Sequence, residues 1–375
     1  MTNGGTRLRV TLISKALVVG AYQTKLAEMA RCDPALELTA IVPPYWREGN
    51  QRISLEQAHS EGYRLIVTPM AFNGSYHLHF YPHLARLLAE TRPDLCHIDE
   101  EPYNWATYHA LRAAQQVGAK AVFFTWQNIA RRYPWPFSWL ERSVYTGVQG
   151  AIAGNRAAAE VLRQKGYRGP IRVIPQFGVD PILFSPPAQG MPDRPFTIGY
   201  AGRLEEAKGL GTLAEALKGL EGPWRLLIVG EGPYRERLGQ SLAQTGLGER
   251  VTFAGRVPSQ KMPAYLHEMD VLVLPSLTRP NWKEQFGRVL IEAMACGVPV
   301  VGSDSGEIPH VIGEAGLIFP EGDALLLRRC LERLQKDIAF RQDLARRGRE
   351  RVLQHYTQAQ IAAQTVAFYR EVLAL

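Results

Sequence analysis

Residues 270–304 read DVLVLPSLTRPNWKEQFGRVLIEAMACGVPVVGSD. An apolar strand runs to Ser276, LTRPNWKEQ forms a loop, FGRVLIEAMAC opens a helix, and PVVGSD is a second apolar strand. Strand, helix and strand in this order make a βαβ unit, whose strands lie parallel in one sheet. Glu284 stands before the helix and Glu292 lies inside it, on a face that is otherwise mostly apolar. A carboxylate in that position calls for a partner. Gly287, near the helix start, lets a ligand approach the backbone closely. The amides and positive dipole end there favour a phosphate or the polar edge of a sugar. A carboxylate accepts two hydroxyl hydrogen bonds, which suits the vicinal diol of a ribose or the hydroxyls of a hexose. Without a ligand, Glu284 would be a capping acid and Glu292 one end of a structural salt bridge.

Working outward, YAGRLEEAKGL (200–210) places Arg203 and Lys208 after a strand that ends at Gly202. A guanidinium fork and an ammonium at the carboxyl end of a strand can neutralise a diphosphate without a metal. The same alternation of short apolar runs and amphipathic stretches continues along the chain. Strands are expected at 8–14, 36–43, 63–70, 94–99, 120–126 and 150–154, then at 196–202, 225–230, 251–255, 270–276, 299–304 and 316–320. Helices are expected at 210–220 and 234–246 between them. The proline-rich stretch 179–196 breaks the pattern and reads as a linker. The fold class is therefore α/β, with two open parallel-sheet domains facing each other across a cleft, and ligands at the carboxyl ends of the strands.

A chain of 375 residues with 46% hydrophobic and 21% charged residues is globular in composition. No run reaches the roughly 18 uncharged apolar residues that span a bilayer. Lys15 interrupts the apolar N-terminal run, which reads as a first core strand rather than a signal peptide. Four widely spaced cysteines argue against a disulfide framework or zinc site and suit a reducing cytoplasm. The net charge of +7 suits anionic partners. GEGPYR (230–235) lacks the third glycine of a dinucleotide fingerprint, GRLEEAKG is no P-loop, and GSDSG (302–306) has Asp304 where a nucleophile elbow has serine. There is no H-E-x-x-H, and the nine histidines are scattered. Metal chemistry and serine hydrolysis drop out. Nucleic acid is not an expected partner, since no recognition motif accompanies the charge.

GRLEEAKG, VGEGP, VTFAGRVP, DVLVLPS, EQFGRVLIEAMACGVPVVGSDSGEIPHVI and GLIFPEGD, in order across 196–323, resemble the family 4 retaining glycosyltransferases. The resemblance implies the GT-B fold, with two Rossmann-like domains. An acceptor domain, 1–185, would be completed by the C-terminal helix 356–375, and a nucleotide-sugar donor domain would span 190–355. Glu284 and Glu292 match that family's E-x7-E pair, which implies that Glu284 contacts the transferred sugar and Glu292 the ribose. Arg203 and Lys208 would hold the diphosphate, making Arg203, Lys208 and Glu284 the catalytic set. The backbone of Arg256 and Val257 would meet the base, and the amides of Phe286, Gly287 and Arg288 would complete the pocket. Gly20, Gly202 and Gly230 count among the donor-binding positions. The activity implied is transfer of a hexose, with retention, from a nucleotide-diphospho-sugar to a glycan or lipid-linked hydroxyl. The donor is expected to be a UDP-sugar, and no metal or other cofactor is required. An epimerase of the same fold and a non-catalytic sugar-nucleotide-binding protein are the alternatives; turnover separates the second from an enzyme.

The pattern is looser before residue 180. HIDEEP (97–102) keeps His97, Glu101 and Pro102 of an H-x-H-E-P-like motif, and Trp126, Gln127 and Asn128 stand where many relatives have a histidine. Glu101 and Asn128 are the acceptor-side candidates. In IARRYPWPFSWLER (129–142), Arg131, Arg132 and Arg142 interleave with Tyr133, Trp135, Phe137 and Trp139. Such a stretch suits peripheral contact with the inner membrane face, an acceptor-binding lid, or packing beneath the cleft.

Overall fold

The structure, a computed structural model, describes residues 7–49, 51–59, 61–188 and 194–374. The chain divides into two compact units, Met1–Gly178 with Gln358–Leu375, and Val179–Thr357.

The first unit is built on β1 (Leu8–Ile13), β2 (Leu36–Val42), β5 (Arg64–Val67), β6 (Leu95–Ile98), β7 (Lys120–Thr125), β8 (Gly150–Ala153) and β9 (Ile171–Val173). These form a seven-stranded sheet in the order β5-β2-β1-β6-β7-β8-β9, and every pairing is parallel. β3 (Tyr45–Glu48) and β4 (Gln51–Ser54) make a separate antiparallel hairpin. β1, β6, β7 and β8 are buried almost throughout, as expected of parallel strands covered on both faces by helices. The helix Gln358–Ala374 supplies Ile361, Val366, Phe368 and Val372 to the core of this unit. Tyr369 of the same helix is bonded through its hydroxyl to Nδ1 of the buried His97. Burial and the nearby Lys25 hold His97 well below its usual pKa, so it is a neutral core residue.

The second unit has β10 (Phe196–Ala201), β11 (Trp224–Val229), β12 (Val251–Gly255), β13 (Val271–Leu274), β14 (Val300–Ser303) and β15 (Leu317–Phe319). Their order is β12-β11-β10-β13-β14-β15, again with parallel pairings only. The twelve strands expected from the sequence are present within a residue or two at each end, except that β5 stops at Val67. The hairpin and β9 were not foreseen.

The stretch 179–196 differs from its reading as a linker. Phe184 is only 2% exposed, and its carbonyl accepts from Arg349 at 3.3 Å. His267 bonds the Ser185 carbonyl at 2.7 Å. Residues 184–185 are thus held against the second unit, and the chain passes between units at Gly178–Val179 instead. Residues 189–193 of the stretch lie outside the described residues.

In each sheet the connections change direction once, between β1 and β6 in the first unit and between β10 and β13 in the second. The loops leaving such a pair diverge and open a crevice at the carboxyl edge.

Candidate functional site

At the switch point of the second unit the loops after β10, β11 and β12 are laced together. Gly202 N–H donates to Val229 O at 2.9 Å and Gly230 N–H to Gly255 O at 2.8 Å. Arg256 and Val257 follow directly on this edge. Tyr200 anchors the next turn by donating its hydroxyl to Arg203 O at 2.8 Å. The Arg203 side chain is 70% exposed and pairs with Glu205 at 2.9 Å.

Lys208 is more confined. Gly209 has φ of 70°, and a Cβ there would lie 1.8 Å from Pro275 O, so the chain at Gly209 presses on the end of β13. Leu277 N–H donates to Ala207 O at 2.8 Å, tying the same two loops. Lys208 Nζ then sits 2.7 Å from Glu284 Oε2, and Ser276 Oγ donates to that same oxygen at 2.8 Å. The ring of Trp282 lies over the ammonium, 4.7 Å from Nζ to centroid. The carboxylate expected to meet the sugar and the cation expected to meet the diphosphate are thus one hydrogen-bonded unit.

The loop that carries Glu284 is held from beneath. Ser303 Oγ donates to Ser276 O at 2.6 Å, and Glu307 N–H to Glu284 O at 3.2 Å. Gly287, with φ of 75°, is the N-cap of the eight-residue helix Arg288–Ala295. With no side chain it caps nothing itself, and a Cβ there would press on Leu274 at 2.8 Å and Leu290 at 3.0 Å. Phe286 is buried with its ring edge-on to Tyr356, 5.8 Å between centroids. Glu292 is 8% exposed and forms an i,i+4 pair with Arg288 at 2.9 Å. Burial pushes its carboxyl above the usual range, and Arg288 only partly opposes this. That is the salt bridge expected in the absence of ligand, on a residue that remains costly to keep charged.

In the first unit the three consecutive acids after β6 are each engaged with the chain. Asp99 accepts from Ser14 Oγ at 2.6 Å and from Gln176 Nε2 at 2.9 Å. Glu100 is ion-paired with Lys15 and lies 3.2 Å from His79 Nε2. Burial would raise its pKa, but Lys15 and His79 outweigh this and hold it down to about 2. Glu101 accepts from Thr125 Oγ1 at 2.5 Å and from Trp126 N–H at 2.8 Å, and burial pushes it up to about 7. Asn128 is buried three residues beyond Thr125. Gly20 N–H donates to Glu56 Oε2 at 2.8 Å.

Residues 129–142 are divided in their packing. Trp135 is 81% and Trp139 48% exposed, and Arg131, Arg132 and Arg142 are exposed with them. Tyr133 instead stacks on Tyr103 with centroids 4.1 Å apart, beneath the ammonium of Lys165. Among the described residues no helix is long and apolar enough to cross a membrane.

Sequence reading missed Ser276 and Trp282. A serine closing an apolar strand and a tryptophan in a loop two residues before Glu284 were the available signals, but neither belongs to a spaced pattern.

Two family models match in succession. One, described as Glycosyltransferase Family 4, covers residues 37–181, and one for glycosyl transferases group 1 covers residues 183–351. The amylovoran biosynthesis glycosyltransferase AmsK of Erwinia amylovora is 35% identical over 169 residues, 44% of this chain and 42% of that protein. The phosphatidyl-myo-inositol mannosyltransferase of Mycobacterium leprae is 29% identical over 315 residues, 81% of this chain and 82% of that protein. The chain spans about half the length, or less, of several other curated relatives it matches. Among solved structures, Anabaena HepE in complex with UDP aligns with a TM-score of 0.73 at 19% identity, covering 97% of this chain and 99% of that one. Two parallel-sheet α/β units and this likeness make the fold GT-B. With the two models matched in succession over residues 37–181 and 183–351, the chain belongs to the family 4 glycosyltransferases.

Proposed function

We propose that this protein transfers a hexose, with retention of configuration, from a UDP-sugar to a hydroxyl of a glycan or lipid-linked acceptor, without a metal. The observation that carries the reading is the Lys208–Glu284 pair, 2.7 Å apart at the switch point of the second sheet. It joins a cation for a leaving diphosphate to a carboxylate for sugar hydroxyls. HepE, a protein of the same fold, was solved with UDP, which supports uridine as the base. AmsK is named for amylovoran biosynthesis and the mycobacterial protein as a phosphatidyl-myo-inositol mannosyltransferase, which supports a glycan or lipid-linked acceptor.

In this reading the bond from sugar C1 to the diphosphate oxygen breaks with its electron pair going to the phosphate. Negative charge grows on the leaving group and positive charge on the ring. Arg203, Lys208 and the amides at Gly287 and Arg288 address the first, doing electrostatically what a divalent ion does elsewhere. Glu284 holds the sugar, Glu292 the ribose hydroxyls, and the backbone at Arg256 and Val257 the base. The acceptor oxygen bonds to C1 on the face the phosphate leaves, and its proton passes to that phosphate. Glu101 and Asn128 lie on the acceptor side. The protein works at the cytoplasmic face of a membrane, where Trp135 and Trp139, with Arg131, Arg132 and Arg142, make a peripheral contact with anionic lipid.

A thermal-shift titration with UDP, GDP, ADP and dTDP, with and without magnesium, tests the donor half. Stabilisation by UDP alone, independent of magnesium and lost in Glu292→Ala and Arg203→Ala, is expected. At about a hundred times the dissociation constant the gain is roughly 2.7 kcal/mol. Stabilisation only with magnesium, or by no nucleotide, would sink the reading. Flotation with phosphatidylglycerol vesicles tests the membrane half, and protein left at the bottom of the gradient would remove it.

A further inference from the structure

The indole of Trp282 lies over a cation of the candidate site. It is half-buried, absent from the buried core of the second unit, and its charged neighbour is Lys208. The segment bearing it is nonetheless fixed. Arg279 N–H donates to Trp282 O at 2.7 Å and Trp282 N–H to Arg279 O at 3.1 Å, closing a tight turn. Thr278, just before that turn, is tied to Ser305 Oγ at 3.1 Å and to Glu321.

Lysine is a poor choice for a fixed charge, because its ammonium is compact, strongly hydrated and carried on a flexible four-carbon stem. Here three contacts confine it. The backbone is clamped against Pro275 and Leu277. Glu284 binds the ammonium on one side, and the electron-rich face of the indole covers another. With the ring in place, water is kept from that side and the stem is held in one rotamer. Without it, the ammonium can turn to solvent and away from Glu284 Oε2.

We propose that Trp282 is a positioning residue for the diphosphate of the donor, acting through Lys208. This rests on the donor reading above. Because the ring touches the cation, its effect is confined to ligands that carry phosphate charge. A residue that merely supported the loop would weaken nucleoside and nucleotide alike.

The test compares binding of UDP and of uridine by calorimetry in the wild type, Trp282→Leu and Trp282→Phe. Labelling of Lys208 by reductive methylation is read in parallel by mass spectrometry. In Trp282→Leu, UDP should weaken about threefold to tenfold, the value of a partly desolvated cation–aromatic contact, with uridine unchanged. Lys208 should become more reactive, and Trp282→Phe should recover most of both. Equal weakening of UDP and uridine, or UDP affinity unchanged in Trp282→Leu, would overturn the positioning role while leaving the donor reading intact. A wild type that binds no UDP at all removes the donor reading, and this proposal with it.

Discussion

The two units place the same three kinds of side chain at the same topological point. Between β10 and β13, Lys208 pairs with Glu284 under the ring of Trp282. Between β1 and β6, Lys15 pairs with Glu100, with the ring of Trp46 5.3 Å from its ammonium. Both pairs form where loops from strands running in the same direction diverge, so one residue from each loop can meet. The difference lies in what else surrounds them. Glu100 is enclosed further by His79, and the acids on either side of it bind Ser14, Gln176, Thr125 and Trp126. Glu284 instead sits in the loop that leads into a helix whose N-cap position is a glycine with no side chain to cap it. On the proposed reading, similar triads serve the fold in one unit and a ligand in the other, and the neighbours decide which.

Removing each cation is the hardest blow to that comparison. Lys208→Ala should lower turnover of a UDP-sugar about a hundredfold to a thousandfold, as loss of a preorganised charge contact does. It should also destabilise the second unit by about 3 kcal/mol, because Glu284 is left buried without its counter-ion. The double variant Lys208→Ala, Glu284→Ala should regain most of the stability and none of the activity. Recovery of both would make the pair structural. Glu100→Ala should destabilise by a similar amount, about 3 kcal/mol, through orphaned Lys15 and His79, with UDP affinity unchanged in calorimetry. A fall in UDP affinity there would erase the distinction drawn between the two triads.

Glu292 gives a smaller effect with the opposite sign for stability. Its pKa is raised by burial, so the folded state binds the proton more tightly than the unfolded chain. The contribution of Glu292 to stability is therefore greatest at acid pH and declines as pH rises through the raised value. Glu292→Gln should melt higher than the wild type at neutral pH while binding UDP more weakly. A lower melting temperature together with lost binding would instead mean that the Arg288 contact outweighs desolvation.

What the sequence made legible follows the same divide. The strands were readable because buried parallel strands are short unbroken apolar runs, as in VLVL of β13. The hairpin YWRE/QRIS was not, since its charged residues break any apolar period, and β9 is only three residues long. Glu284 and Glu292 stood out because one loop and one helix carry both. Lys15, Trp46 and Glu100 are scattered over three separate segments and meet only through the strand order. Trp282 was overlooked for a related reason, since its meaning depends on Lys208, which reaches it from the neighbouring strand's loop. Asp99, Glu100 and Glu101 form an acidic run that sequence alone cannot sort into latch and ligand, because the partners that commit them lie on other strands.

Glu101 allows the finest test of that sorting. Its carboxyl is held up to about 7 by burial, against the hydrogen bonds from Thr125 and Trp126. In the unfolded chain a glutamate titrates near pH 4.3. Between those values the folded protein holds a proton that the unfolded chain has released. The contribution of Glu101 to stability is thus complete in acid, falls as pH rises to about 7, and then levels off. Glu101→Gln keeps an uncharged group of the same shape and removes this titration, so its melting temperature relative to wild type should climb across that interval and stay constant above it. Turnover should keep its pH profile if Glu101 only latches the loop after β7. A profile that loses a limb near pH 7 in Glu101→Gln is what the acceptor-side proposal expects, and an unchanged profile would remove Glu101 from that site.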